Sequence, residues 1–210
     1  MDVDSVNPKG QMFIIAGIIL IMMLFSLSAL LSIYNTGQEK VNLESVAIQL
    51  TAENLMREYK NIAGLATVKE NVNASAMAYF SNFSDLVRHD ADAKILYSFA
   101  FSNGTSQKFW VITGNYLDDS INLTIYATDS TPSSVFIGVI QDKTNVTREF
   151  SRTTNVPINI TLNYTDSTGS RAERFVLNAS SLNSAAALFD IRIETPEGFA
   201  RIKETYNRSW

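Results

Sequence analysis

Hydrophobic positions follow three successive patterns along the chain. The first is an unbroken apolar run: residues 11–34 carry no charge and no proline, and 13 of residues 12–34 are Ile, Leu or Phe. At ~1.5 Å per residue, a helix of that length reaches across the ~30 Å hydrocarbon core of a bilayer. The run is apolar on all sides rather than along one stripe, which predicts a membrane-length helix rather than a core helix of a soluble protein. It is also too long for a conventional secretory signal and offers no A-x-A site. Ser28 and Ser32 form a small-xxx-small pair that lets helices approach.

The second pattern is an amphipathic stripe. Residues 39–66 contain no proline, and Ile48, Ala52, Leu55, Tyr59, Ile62 and Ala66 recur at spacings of four and three. Glu53 and Arg57 stand at i,i+4 on the wet side. Between run and stripe lies Asn35-Thr36-Gly37; helix running through that glycine costs about 1 kcal/mol, and one long, bent helix over 11–66 is expected. A shorter helical piece is expected over 74–87.

From Ala93 onward the period is two. Ile95, Tyr97, Phe99 and Phe101 alternate with Lys94, Ser98 and Ser102, and Phe109 and Val111 follow. Further strands are expected near 121–127, 134–140, 157–164, 173–179, 187–194 and 199–205, separated by turn residues such as Asn103-Gly104, Thr113-Gly114, Thr131-Pro132, Gly169 and Pro196-Glu197-Gly198. About eight strands without helical crossovers predict an antiparallel sandwich or barrel-like sheet. The expected class is therefore α+β: a long N-terminal hydrophobic α-helix, serving membrane and assembly, followed by an antiparallel β-sandwich-like head.

Composition narrows the function. The net charge is −4, with 17 basic and 21 acidic residues and no two basic residues adjacent, so nucleic acid is not an expected partner. With no cysteine and one histidine there is no disulfide, no thiolate and no zinc ligand set. His89, in RHDADAK, reads as a charged loop residue and supports no Ser-His-Asp arrangement. Asp118-Asp119 and Asp90-x-Asp92 lack the D-x-D-x-D-G spacing of a calcium loop and read as solvated turns. No glycine loop cradles phosphate. No catalytic residues, no metal and no cofactor are expected, and the chain is not read as an enzyme.

One motif is in excess. N-x-[ST] occurs at Asn73, Asn82, Asn103, Asn122, Asn145, Asn159, Asn163, Asn178 and Asn207, nine times, all after the apolar run. With 18 Asn and 39 Ser plus Thr in 210 residues, chance predicts roughly three. Alternation puts Asn159 and Asn163 opposite Ile158, Ile160, Leu162 and Tyr164; Asn122 opposite Ile121, Leu123 and Ile125; and Asn178 opposite Phe175 and Leu177. These nine are N-glycosylation candidates, and the strand faces that carry them are expected to be wet and extracytoplasmic.

Lys9-Gly10-Gln11 set directly against the apolar run resembles the class III signal peptide of archaeal type IV pilin-like proteins. The resemblance implies a prepilin peptidase that cuts after Gly10 on the cytoplasmic side and leaves the greasy helix on the mature chain. It covers residues 8 to about 66 in motif and helical layout. Ile15 stands where bacterial pilins usually carry a glutamate at the fifth mature position; archaeal pilin-like proteins often lack it, so nothing tied to that glutamate carries over.

The expected organisation is a leader over 1–10, a hydrophobic then amphipathic helix over 11–66 and an extracellular β-rich head over 67–210. The assembly helix presents Phe13, Ile14, Ile15, Ile18, Ile21, Leu24 and Phe25. The expected function is a structural subunit of an archaeal cell-surface pilus-like filament. Its partners are other pilin-like subunits, membrane lipid before assembly and the prepilin peptidase. The alternative is an uncleaved, signal-anchored, single-pass surface glycoprotein whose β-sandwich binds a partner.

Overall fold

A computed structural model describes residues 8–104, 106–128, 132–152, 157–179, 182–196 and 198–210; over 8–18, 35–43 and 132–134 it describes the backbone alone. The elements are α1 (Pro8–Thr67), α2 (Val72–Ala91), β1 (Ala93–Ser102), β2 (Lys108–Tyr116), β3 (Ile121–Thr128), β4 (Pro132–Ile140), β5 (Thr144–Ser151), β6 (Ile158–Asp166), β7 (Gly169–Leu177), β8 (Ser184–Thr195) and β9 (Gly198–Ser209). They divide into two compact units, Met1–Val46 and Ala47–Trp210.

The unit Ala47–Trp210 is a mostly β fold of two antiparallel sheets. Sheet 1 has the order β5-β2-β1-β8-β9 and sheet 2 the order β4-β3-β6-β7. Between the sheets, Leu96 and Ala100 of β1 and Leu188 of β8 pack against Ile121, Leu123, Ile125, Ile160 and Leu162 of sheet 2. On its other face sheet 1 is covered by helix: Ala52, Met56, Tyr59, Ala63 and Ala66 of α1 and Ala76 and Phe80 of α2 meet Ile95, Tyr97, Phe99, Phe189 and Ile191. Sheet 1 is thus buried on both sides, while sheet 2 keeps one face open to water.

Local signals explain the helices. Asn71 caps α2 by accepting a hydrogen bond from Ala74 N at 3.0 Å, and Asp92 closes it in the left-handed region, φ 48°. Tyr59 and Ser84 share a buried hydrogen bond of 2.7 Å that ties α1 to α2. Lys60 pairs with Glu204, and Arg208 Nη1 donates to Gly64 O at 3.3 Å, fastening α1 to β9.

Two expectations are corrected. The class is not α+β built on a long apolar helix, but a mostly β antiparallel two-sheet fold. The backbone is helical through Asn35, Thr36 and Gly37, yet α1 is not apolar over its length, because Gln38, Glu39, Lys40 and Glu44 follow the apolar run. Among the described residues no helix is long and apolar enough to cross a membrane. The second correction is in the strands. β5 was not expected, since TNVTREFS is an edge strand with mostly exposed side chains and carries no apolar alternation.

Candidate functional site

Two surfaces stand out, and each follows from its local sequence. The first is the apolar stretch of α1. Every residue from Ile19 to Tyr34 is exposed, with Ile21, Leu24 and Phe25 among them and Phe25 at 73 %. Ser26 directs its hydroxyl back to Met22 O at 2.9 Å and so removes its own polarity from the surface. Lys9, Gly10, Gln11, Phe13, Ile14, Ile15 and Ile18 have side chains outside the described residues.

The second surface is the outer face of sheet 2. Period-two alternation buries Ile121, Leu123, Ile125 and Ile158, Ile160, Leu162, Tyr164 inward, and leaves Asn122, Asn159 and Asn163 exposed. Strand register arranges this face in rows. Phe136, Thr124, Asn163 and Ala172 form one row across β4, β3, β6 and β7; Val139, Asn122, Thr165 and Ser170 form the next.

The remaining acceptor asparagines differ among themselves. Asn82, Asn103, Asn178 and Asn207 are exposed. Asn73 and Asn145 are half-buried: Asn145 Nδ2 donates to Ser81 Oγ at 2.6 Å, and Asn73 Oδ1 is enclosed without a hydrogen-bond partner among the described residues. Thr105 and Ser180, which complete the motifs at Asn103 and Asn178, lie outside the described residues.

Titratable groups are mostly paired. His89 is exposed and contacts Asp90 Oδ1 at 2.8 Å. Arg88 pairs with Asp118 and, at 2.6 Å, with Asp142, tying the end of α2 to two strand connections. Asp119 accepts from Ser167, and the hydroxyl and amide of that serine hold its carboxyl below the ordinary value. Among the described residues no group of three or more His, Cys, Asp or Glu is placed to hold a metal ion.

One charged cluster is buried between the sheets. Asp190 on β8 accepts from Arg201 Nε at 2.7 Å and Nη2 at 2.8 Å, and from Arg192 Nη2 at 2.8 Å. Arg192 also donates to Tyr164 Oη on β6 at 3.1 Å, and Lys203 on β9 donates to Glu173 on β7 at 2.7 Å. Burial pushes the Asp190 carboxyl up, but Arg201 and Arg192 more than offset it, so its pKa lies below the ordinary value. Burial, reinforced by Asp190, pushes Tyr164 up to about 12. With Asp166 also 3.8 Å from Arg192 Nη1, each of these cations faces a carboxylate, and the cluster acts as a latch between β8, β9 and sheet 2. The sequence reading missed it, although a lone Asp-x-Arg inside the apolar strand AAALFDIRI was a usable signal. It also missed that Phe136 and Val139 face water.

No protein-family model, curated protein or solved structure matches the chain. The two exposed surfaces therefore carry the functional reading.

Proposed function

We propose that this chain is a structural subunit of a pilin-like cell-surface filament of the archaeal type, packed against its neighbours through the apolar stretch 19–34 and displaying a glycosylated β-head outside the cytoplasm. One observation carries the reading: from Ile19 to Tyr34 the helix exposes apolar side chains on all sides of the isolated chain. Apolar patches of that extent need a cover, and contiguous copies of the same helix supply one. The Lys9-Gly10 pair set directly before the apolar run fits removal by a prepilin peptidase, leaving Gln11 first. The nine acceptor motifs fit a glycosylated exterior.

Leu24→Lys tests the assembly role, because an unpaired charge inside a packed bundle costs several kcal/mol in every subunit. The variant should yield no surface filaments in sheared fractions at equal protein levels, while Thr161→Ala on the open face of sheet 2 leaves them intact. Filaments formed normally by Leu24→Lys, or native filaments lacking this chain, would overturn the reading. Amino-terminal mass spectrometry separately checks cleavage between Gly10 and Gln11.

A further inference from the structure

The open face of sheet 2 is not uniformly polar. Phe136 is 67 % exposed and Val139 62 %, on a face built largely of Thr, Asn and Ser, with Tyr126 and Val176 less exposed elsewhere on it. A bulge explains how both come to face water. Leu123 pairs with Gly138 and Thr124 with Phe136, so Ile137 is the extra residue, and Gly138 takes φ +90° to accommodate it. The parity of β4 flips at that point, which turns Phe136 and Val139 to the same side.

Beside the ring lies a shallow trough of about 440 Å³ lined by Asn122, Thr124, Phe136, Asn163, Thr165 and Ser170, among others. Its floor is open because the residues flanking Asn163 in its row, Thr124 and Ala172, are small. Two strand spacings, ~10 Å, separate Asn163 from Phe136 across Thr124, too far for direct contact between the two side chains and within reach of the first sugars of a glycan. Thr165 and Ser170, hydroxyl to hydroxyl at 3.0 Å, supply a polar rim.

From this juxtaposition we infer that the trough seats an N-linked glycan carried by Asn163, whose first sugars cross Thr124 and stack the apolar C–H face of a pyranose on Phe136. The inference rests on the glycosylated exterior of the proposed function. In the transfer step, Asn163 Nδ2 loses one proton and bonds to the anomeric carbon of a lipid-phosphate-linked oligosaccharide. The phosphate leaves with the electron pair of the broken C–O bond, and nothing is oxidised or reduced. The stacked sugar covers the one aromatic ring that this face leaves mostly exposed, removing apolar surface from water.

The test is a double-mutant cycle on the full-length chain, Asn163→Gln against Phe136→Ala, run on protein from a glycosylating host and from one without an oligosaccharyltransferase. In the glycosylated protein each single variant should lower Tm by ~2–4 °C and the pair by little more than either alone. In the unglycosylated protein the coupling should vanish. Asn159→Gln, two rows away, should show no coupling to Phe136 in either. Additive effects with Asn163 occupied would overturn the stacking. Modification at other sites with Asn163 bare would overturn the seat alone, whereas no modified Asn anywhere would defeat the glycosylated exterior itself. A change of oligomeric state on Phe136→Ala would reassign the patch to a second copy.

Discussion

Gly114→Ala should destabilise the head strongly, although its backbone conformation predicts the opposite. Gly114 on β2 pairs with Tyr97 on β1, and a Cβ there would lie 2.5 Å from Tyr97 Oη and closer still to ring atoms Cζ and Cε1. The ring cannot retreat. It is fully buried, tilted against Phe80 at a centroid distance of 4.9 Å and stacked on Tyr116 at 6.1 Å. If the ring shifts within the cluster, overpacking costs ~1–3 kcal/mol; if it is expelled, the loss approaches the ~3–5 kcal/mol of removing a large aromatic. We expect ~3 kcal/mol, a large part of a typical domain's 5–15. At a position without strain the same change would stabilise by ~0.4–1 kcal/mol, so the sign alone is informative. Urea unfolding of the full-length chain, followed by near-UV circular dichroism, should show a lower midpoint at unchanged slope. Repeated on Tyr97→Leu, the substitution should cost under ~1 kcal/mol. A loss below ~1 kcal/mol in the wild-type background, or the same loss with and without the tyrosine ring, would refute the packing argument.

Asp190→Asn removes the buried carboxylate that Arg192 and Arg201 share, leaving them only the longer contacts to Asp166 and Glu173, and should cost ~3 kcal/mol by urea unfolding. Because the folded pKa of Asp190 lies below its unfolded value, its contribution is fully present above the unfolded value of 3.8 and is lost as pH falls through the folded one; the midpoint-versus-pH curve of Asp190→Asn should be flatter there. Burial raises Tyr59, Tyr97, Tyr116 and Tyr164, so the stability they contribute is complete below the unfolded value of 10.0 and is lost as pH rises through the folded values. Tyrosinate absorbance should accordingly leave these residues silent past pH 10 and release them together on unfolding. Glycopeptide maps of native protein should find Asn122, Asn159 and Asn163 modified and Asn145 bare, since Asn145 Nδ2 is already bound to Ser81; an occupied Asn145 in folded protein would contradict that geometry.

Sheet 2 was legible in the sequence because one of its faces is wet: in β3 and β6 every isoleucine and leucine turns inward and the acceptor asparagines outward, with Tyr126 the aromatic exception. Sheet 1 was only half legible. Ile95, Tyr97, Phe99 and Phe101 were readable as an apolar face, but Leu96 and Ala100 on the other face are equally buried, a consequence of the helical cover. That cover was itself visible as the stripe from Ile48 to Ala66, yet a stripe does not say which sheet face it closes. Met56 and Ala63 joined the buried set unforeseen, because the spacing of four and three had been satisfied without them. The charges of Asp190 and Arg192 were hidden for another reason: Arg201 reaches Asp190 from the paired strand β9, while Tyr164, and Glu173 beside Arg201, are remote in sequence and arrive only through sheet-on-sheet packing.

The two exposed surfaces differ in chemistry in a way that bears on assembly. Along 19–34, twelve large apolar side chains are exposed, and each is worth ~1.5–3 kcal/mol when fully buried, so in the proposed filament this stretch would supply the driving force for association. The open face of sheet 2 offers mainly asparagine, threonine and serine, with Phe136, Val139, Tyr126 and Val176 set singly among them. Hydrated groups there gain little by contact with another protein and lose their water on burial, so the face resists the association that the helix promotes. Glycans would strengthen that asymmetry by adding bulk and hydration. A chain that joined its copies through both surfaces would aggregate without limit. One that joins through the helical stretch alone can repeat in a fixed geometry and keep its strand face toward water.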